Sequence, residues 1–292
     1  MPYFESPVDG TRLYYADHGP ADGPVAVFVA SSYLGHEMWE YQTLPLAEAG
    51  YRCVAVDRRG HGRSDDVWSG YDLDTLADDL NGLLDHLDLR GATLIGHSVG
   101  TAEVVRSLTR HGSARVDRVA LVAGVSPGVV RSPNLPEGID PAAVRADDEL
   151  FRRDRPAWFN ATADDFFAVQ RPGNDVSPAY VHHLIDRCLV ATPRASDGIR
   201  AVVAALDLTE ELPALDVPVL VVHGSHDVFA PLALTGERAA LLVPDAVLKV
   251  YENGGHGLFA THAGLLTADL REFLESGRAS DTAARQAAVA GR

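Results

Sequence analysis

Short runs rich in Val, Leu and Ala alternate with stretches whose apolar residues recur at helical spacing, and that alternation leaves the chain few folds to choose from. "RLYYADHG" and "VAVFVA" read as the first strands, and "MWEYQTLPLAEAG" reads as a helix that ends at Gly50. "RCVAVD" (strand) and "LDTLADDLNGLLDHL" (helix) follow, then "ATLIG" (strand), "VGTAEVVRSLTRHG" (a helix closed by Gly112) and "VDRVALVAG" (strand). Towards the C-terminus come "VPVLVVHG", "LTGERAALLV", "AVLKVYENG" and "HAGLLTADLREFL", again strand, helix, strand, helix. Strands that are apolar along their whole length are buried on both faces. The pattern therefore predicts an α/β fold, a mostly parallel central sheet with helices on both faces. Ligand sites in such sheets lie beyond the carboxyl ends of the strands.

One segment breaks the rhythm. From Ser126 to Leu206 the chain has a Pro-rich entry ("SPGVVRSPNLPEG") and then helical stretches carrying Phe151, Trp158, Phe159, Phe166, Phe167 and Tyr180. An insertion of this kind between core strands is expected to form a helical lid, with most of its aromatics serving as its own small core. The predicted organisation is a first core part over 1–125, the lid over 126–206, a second core part over 207–275, and a small, polar tail over 276–292 that is expected to be partly disordered.

Bulk properties exclude several classes of function. With 292 residues, 46% of them hydrophobic, the chain can bury one large core. A net charge of −16 repels phosphate backbones, so no nucleic-acid partner is expected. No apolar run reaches the ~18 residues of a membrane span. The N-terminal "MPYFESPVDG" has neither the basic nor the apolar region of a signal peptide. Cys53 and Cys188 stand far apart, so a disulfide framework is not indicated and a reduced, cytoplasmic setting is expected. Cys53, inside an apolar run, reads as a buried structural thiol. Nothing in the pattern decides against a homo-oligomer.

The chemistry is carried by "LIGHSVG". Gly96-His97-Ser98-Val99-Gly100 is a G-x-S-x-G sequence between a predicted strand and a predicted helix, the context the motif requires. The turn forces Ser98 into a strained backbone and lifts its hydroxyl above the sheet, at the positive end of the next helix. A serine nucleophile needs a base, and the base needs an orienting carboxylate. In this arrangement the chain order is Ser, acid, His. "VLVVHGSHDVFAP" puts Asp227 just past a strand end, and "VYENGGHGLFATH" puts His256 just past the last strand. A simpler role for Asp227 is to cap the helix that follows, with Pro231 near its start. The strand ending "LVAGVSPG", the other seat for an acid, has no carboxylate nearby. His97 should point away from Ser98, His223 should brace the acid loop, and His61 reads as structural. No group of His, Asp or Glu has convincing metal-ligand spacing and no phosphate-cradling glycine loop is present, so neither metal nor cofactor is expected.

These residues resemble the α/β-hydrolases over nearly all of the chain up to about Leu274. More narrowly, "AEAGYRCVAVDRRGHGRSD", "YDLDTLADDLNGLLDHLDLRGATLIGHSVG", "RHGSARVDRVALVAG", "VPVLVVHGSHD" and "LKVYENGGHGL" are similar to the bacterial cofactor-free haloperoxidase (perhydrolase) and esterase branch. The resemblance implies Ser98, Asp227 and His256 as a catalytic triad, with the Val99 N–H as one oxyanion donor. It also implies that any halogenation is a side reaction of peroxyacid formation. The chain departs from the branch in two places. Where relatives usually carry His-Gly-aromatic-Pro, it has Ala30-Ser31-Ser32-Tyr33; Thr101 and Ala102 replace a run of glycines. "SSYLG" is instead similar to the serine-containing oxyanion loop of bacterial enol-lactone hydrolases. By register the Ser32 N–H is the expected second oxyanion donor. The Ser31 or Ser32 hydroxyl is a candidate further contact, unless these serines only end the strand or cap the next helix. Tyr33, Trp158 and Phe229 are expected to line the substrate pocket with Ser31.

The expected function is hydrolysis of a small carboxylic ester or lactone through an acyl-enzyme. Alternatives are perhydrolysis, or carbon–carbon bond cleavage or lyase chemistry on the same triad. Hydroxynitrile lyases of this fold rely on a lysine near the catalytic histidine, whereas the only lysine here, Lys249, lies within the last strand. Dehalogenases and epoxide hydrolases use an Asp nucleophile, and position 98 is Ser. A non-catalytic binding protein would not need an intact triad. A histidine base must be neutral to accept the serine proton. Turnover should therefore rise with pH across the neutral range when chemistry limits the rate; a flat profile from acid to neutral pH would count against His256.

Overall fold

The apolar runs build one eight-stranded sheet in a computed structural model that describes residues 2–276. The strands are β1 (Tyr3–Glu5), β2 (Arg12–His18), β3 (Val25–Val29), β4 (Arg52–Val56), β5 (Ala92–His97), β6 (Val116–Val122), β7 (Val219–Gly224) and β8 (Ala246–Tyr251). Their order is β1-β2-β4-β3-β5-β6-β7-β8. The pairings β1–β2 and β2–β4 are antiparallel, and all others are parallel. β1 went unread in the sequence because three residues are too few to show a period.

The helices are α1 (Glu40–Glu48), α2 (Leu73–His86), α3 (Val99–His111), α4 (Pro141–Arg153), α5 (Arg155–Phe167), α6 (Pro178–Val190), α7 (Pro193–Ala205), α8 (Gly236–Leu242), α9 (Leu258–Thr261) and α10 (Ala263–Ser276). Alternate residues of each strand face opposite layers. Val27, Val54, Leu94, Val119 and Val221 pack against α2, α3 and α8. Phe28, Cys53, Ile95, Ala120 and Val222 pack against α1 and α10. Cys53 is thus a core thiol, and burial pushes its pKa up to about 12. Lys249 is buried in β8, paired with Asp269 at 2.8 Å. No helix among the described residues is long and apolar enough to cross a membrane.

The stretch 126–206 holds four successive helices, α4 to α7, between β6 and β7. Each starts at a local signal. The side chains of Asp140, Asp154, Ser177 and Thr192 accept the first free backbone N–H groups, and a proline stands one or two residues on. Of the tail read over 276–292, only Ser276, the end of α10, belongs to the described residues.

The chain leaves β3 towards β4 on one side and returns as β5 on the other. The carboxyl ends of β3 and β5 therefore flank the crevice where ligands bind in open parallel sheets. The crevice is closed from behind by backbone. A Cβ on Gly100 would lie 2.7 Å from the Val29 carbonyl oxygen and 2.8 Å from that of Ala30, and a Cβ on Gly96 would lie 2.5 Å from the Gly100 carbonyl oxygen. Gly100→Ala should accordingly push α3 off the sheet and cost about 1–3 kcal/mol, read as a lowered unfolding temperature. A variant that melts with the wild type would contradict this packing.

Candidate active site

Ser98 sits between the last residue of β5 and the first of α3 at φ 55° and ψ −122°. A non-glycine residue there costs about 1–3 kcal/mol and persists only where its surroundings hold it. They do so on both sides. The Ser98 N–H donates to the Val122 carbonyl at 3.1 Å, and its carbonyl accepts from the Thr101 N–H at 3.0 Å and the Thr101 hydroxyl at 2.7 Å. The hydroxyl is thereby presented above the carboxyl edge of the sheet.

His256 and Asp227 come to that edge from the loops after β8 and β7. His256 Nε2 lies 2.9 Å from Ser98 Oγ, and His256 Nδ1 lies 2.7 Å from Asp227 Oδ2. All three side chains are buried. The two oxygens of Asp227 divide the work. Oδ1 accepts the N–H groups of Phe229 and Ala230 at 2.9 and 2.8 Å, which shapes its own loop, and Oδ2 faces the imidazole. The local capping role and the pairing with His256 thus coexist. No helix starts at Pro231, however; the next, α8, begins at Gly236.

The other histidines brace this line. The His97 Nε2–H donates to the His256 carbonyl at 2.9 Å, on the side of the elbow away from the Ser98 hydroxyl. Burial and then the nearby His256 push its pKa down to about 3, so it stays neutral. The His223 Nε2–H donates to the Ala230 carbonyl at 2.7 Å and closes the acid loop. Phe166 and Phe229 flank the His256 ring at centroid distances of 5.3 and 5.7 Å.

Ser98 and His256 open into a cavity of about 440 Å³ whose wall includes Ser31, Ser32, Tyr33, Trp158 and Phe229. The four residues expected from the sequence to line the pocket, Ser31, Tyr33, Trp158 and Phe229, lie on this wall, and Ser32 lies beside them. Neither the Ser31 nor the Ser32 hydroxyl has a protein partner among the described residues, and neither caps the short helical turn at His36–Trp39. The backbone N–H groups of Ser32 and Val99 likewise have no protein acceptor among the described residues. Most of the wall is apolar and comes from α4 to α7. One polar pole interrupts it: Arg200 pairs with Asp148, with Asp147 at 2.5 Å and with the Tyr33 hydroxyl at 3.0 Å, while the Trp158 indole donates to Asp147 at 2.8 Å. Burial raises the Tyr33 pKa to about 12.

Residues 27–263 match the family described as the alpha/beta hydrolase fold. The chain belongs to the α/β-hydrolase family. Within it, this α/β-hydrolase is 39% identical to the non-heme chloroperoxidase CPO-A1 of Kitasatospora aureofaciens, over 86% of this chain and 90% of that one. It is 35% identical to the bifunctional esterase/perhydrolase DCH of Acinetobacter calcoaceticus, over 92% of this chain and 98% of the other. Its fold resembles the enol-lactonase of Burkholderia xenovorans LB400 with a TM-score of 0.80 and 25% identity, covering 94% of this chain and 100% of that one.

Sequence reasoning missed the Arg200 pole, because the carboxylate partners of Arg200 lie some fifty residues upstream on α4 and its Tyr33 partner in the loop after β3. It also passed over Cys188, which lines the cavity with a thiol that burial pushes up to about 12. One acidic trio escaped the spacing argument too. His36, Glu37 and Asp57 bring ligand atoms within 4.8 Å of one another. There Asp57 accepts the N–H groups of His36 and Arg63, at 2.6 and 2.8 Å, and so pins two loops together.

Burial alone would raise the Asp227 pKa, but the His256 and His223 rings outweigh it and hold the carboxyl well below the usual carboxylate range. A lowered folded pKa adds stability above the unfolded value, about 3.9, and that stability is lost as the pH falls through the folded value. The stability gap between the wild type and Asp227→Asn, measured by urea unfolding, should therefore narrow as the pH drops below about 4. A gap that stays constant there would mean that Asp227 is not held ionised.

Proposed function

We propose that this α/β-hydrolase is a serine hydrolase of small carboxylic esters and lactones. The observation that carries the reading is the hydrogen-bonded line Ser98–His256–Asp227 opening into an apolar cavity beside the free N–H of Ser32. Ser98 Oγ attacks the substrate carbonyl carbon while His256 Nε2 takes its proton. The carbonyl oxygen gains charge and is held by the Ser32 and Val99 N–H groups, the latter at the positive end of α3. His256 returns the proton to the leaving alkoxide, and the alcohol departs. Water, deprotonated by the same nitrogen, attacks the acyl-enzyme; the bond to Ser98 Oγ breaks, His256 returns the proton to that oxygen, and the acid leaves. Asp227 keeps the His256 ring in the tautomer that presents Nε2 as acceptor and stabilises its charged form. The helices of 126–206 act as the lid, and their aromatic wall selects the acyl or alcohol group.

The similarity to a chloroperoxidase and to an esterase/perhydrolase favours a second reading on the same residues. Hydrogen peroxide then replaces water at the acyl-enzyme, and a peroxyacid leaves in place of the acid. The Ala30-Ser31-Ser32-Tyr33 loop, different from the one usual in that branch, weighs towards hydrolysis. A panel of p-nitrophenyl esters of rising chain length, run beside several lactones with and without peroxide, separates the two by product.

Ser98→Ala should lower kcat by about three orders of magnitude or more at unchanged unfolding temperature. A loss of only a few-fold would remove Ser98 from the role of nucleophile. Ser32→Ala should spare most activity if only its N–H matters. Ser32→Pro, which deletes that N–H, should cost about 10²–10³ in kcat. A folded Ser32→Pro enzyme turning over at the wild-type rate would show that the second donor lies elsewhere.

A further inference from the structure

The loop after β3 is gripped through its carbonyls by the turn after β4. Arg58 is buried and donates through Nη2 to the Ala30 carbonyl at 2.9 Å and through Nη1 to the Ser31 carbonyl at 3.1 Å. His61 Nε2 stands 2.9 Å from the Ser32 carbonyl. The remaining edge of the guanidinium belongs to Glu103: Nε donates to its Oε1 at 2.7 Å, and Nη2 meets the same oxygen. Glu103, also buried, lies on α3 one turn beyond Val99.

A trans peptide is planar, with its C=O and N–H pointing to opposite sides. The Ser31 carbonyl and the Ser32 N–H belong to one such plane. With the carbonyl fixed on Arg58, the N–H must leave in the opposite direction, away from the guanidinium, and Ser31 and Ser32 both line the cavity. The same guanidinium is tied through Glu103 to the helix whose first N–H is that of Val99. A positive charge on the carbonyl side also polarises the peptide and strengthens its N–H as a donor. The burial of the pair is poorly explained by stability, because desolvation offsets most of what such a pair gains.

We propose that Arg58 is a positioning residue that aims the Ser32 N–H and sets its spacing from the Val99 N–H, with Glu103 as the tie between the two donors. The proposal rests on the oxyanion reading above. In this chain Arg58 gives the Ala-Ser-Ser loop a shape that its own small side chains do not impose.

The test is the double variant Arg58→Met/Glu103→Leu, which removes both buried charges together at similar volume. It is assayed with a p-nitrophenyl ester and with phenylboronic acid, whose tetrahedral adduct on serine puts a charged oxygen in the oxyanion position. The expected result is a kcat loss of about 10- to 100-fold, a matching loss of boronate affinity, and a KM within about threefold of wild type. A merely structural role would lower the unfolding temperature without that split. A folded double variant with wild-type kcat and boronate affinity overturns the proposal. If the double variant does not fold, Arg58→Lys carries the test: its single ammonium cannot span both carbonyls and Glu103, so kcat should fall at unchanged KM, and an unchanged kcat overturns the proposal. Ser98→Ala is run alongside. Activity retained there strikes the catalytic reading and the Arg58 role with it; activity lost there, but kept in the Arg58 variants, strikes the Arg58 role alone.

Discussion

A strand can pass into a helix within one residue only if the joint leaves ordinary backbone space and nothing bulky stands beside it. Ser98 supplies the joint at positive φ, and Gly96 and Gly100 supply the clearance, with carbonyl oxygens closer than any real Cβ could approach. The rest of the site inherits its position from this contact. It brings α3 against the end of β3, so the start of the helix and the loop after β3 stand side by side. It also sets the height of the serine hydroxyl, which the loops after β7 and β8 then meet with an imidazole and a carboxylate.

Around that joint, charge is handled by two opposite rules. His97 is buried as a neutral ring, and His97 and His223 each direct one ring nitrogen to a carbonyl, with the other ring nitrogen left without a partner among the described residues. Asp227 is buried charged, and its oxygens are filled by two backbone N–H groups and a ring. Rings tied to backbone carbonyls thus surround an ionic centre, and its one carboxylate is aimed at His256.

Much of this was legible in the sequence, for physical reasons. Parallel strands are apolar throughout, so β3 to β7 announced themselves. Residues at strand ends fall on one edge of the sheet, so the sequence alone assigns Ser98, Asp227, His256 and Ser32 to that edge. What stayed hidden depends on pairing across the third dimension. Arg58 stands in "DRRGHGRSD" beside Arg59, and nothing local tells which of the two runs to the loop after β3 and which to Asp79 and Asp9. Glu103 looks like any acidic residue on a helix until α3 is turned against β3. The starts of α4, α6 and α7 are written locally as Asp-Pro, Ser-Pro and Thr-Pro, whereas the aromatics between them show only that the segment packs, not where each helix begins.

Tyr33 belongs by sequence to the loop after β3 and by contact to the helices above it. Its ring stacks on Phe151 of α4 and meets Phe159 of α5 edge-on, and its hydroxyl is held by Arg200 of α7. The residue next to the Ser32 N–H is therefore clamped by three separate helices. Any repacking of those helices to suit a bulkier guest bears on the same short stretch of backbone that carries the Ser32 N–H. On the oxyanion reading proposed above, substrate range and rate are mechanically linked, so a widened pocket and a preserved turnover have to be selected together rather than one after the other.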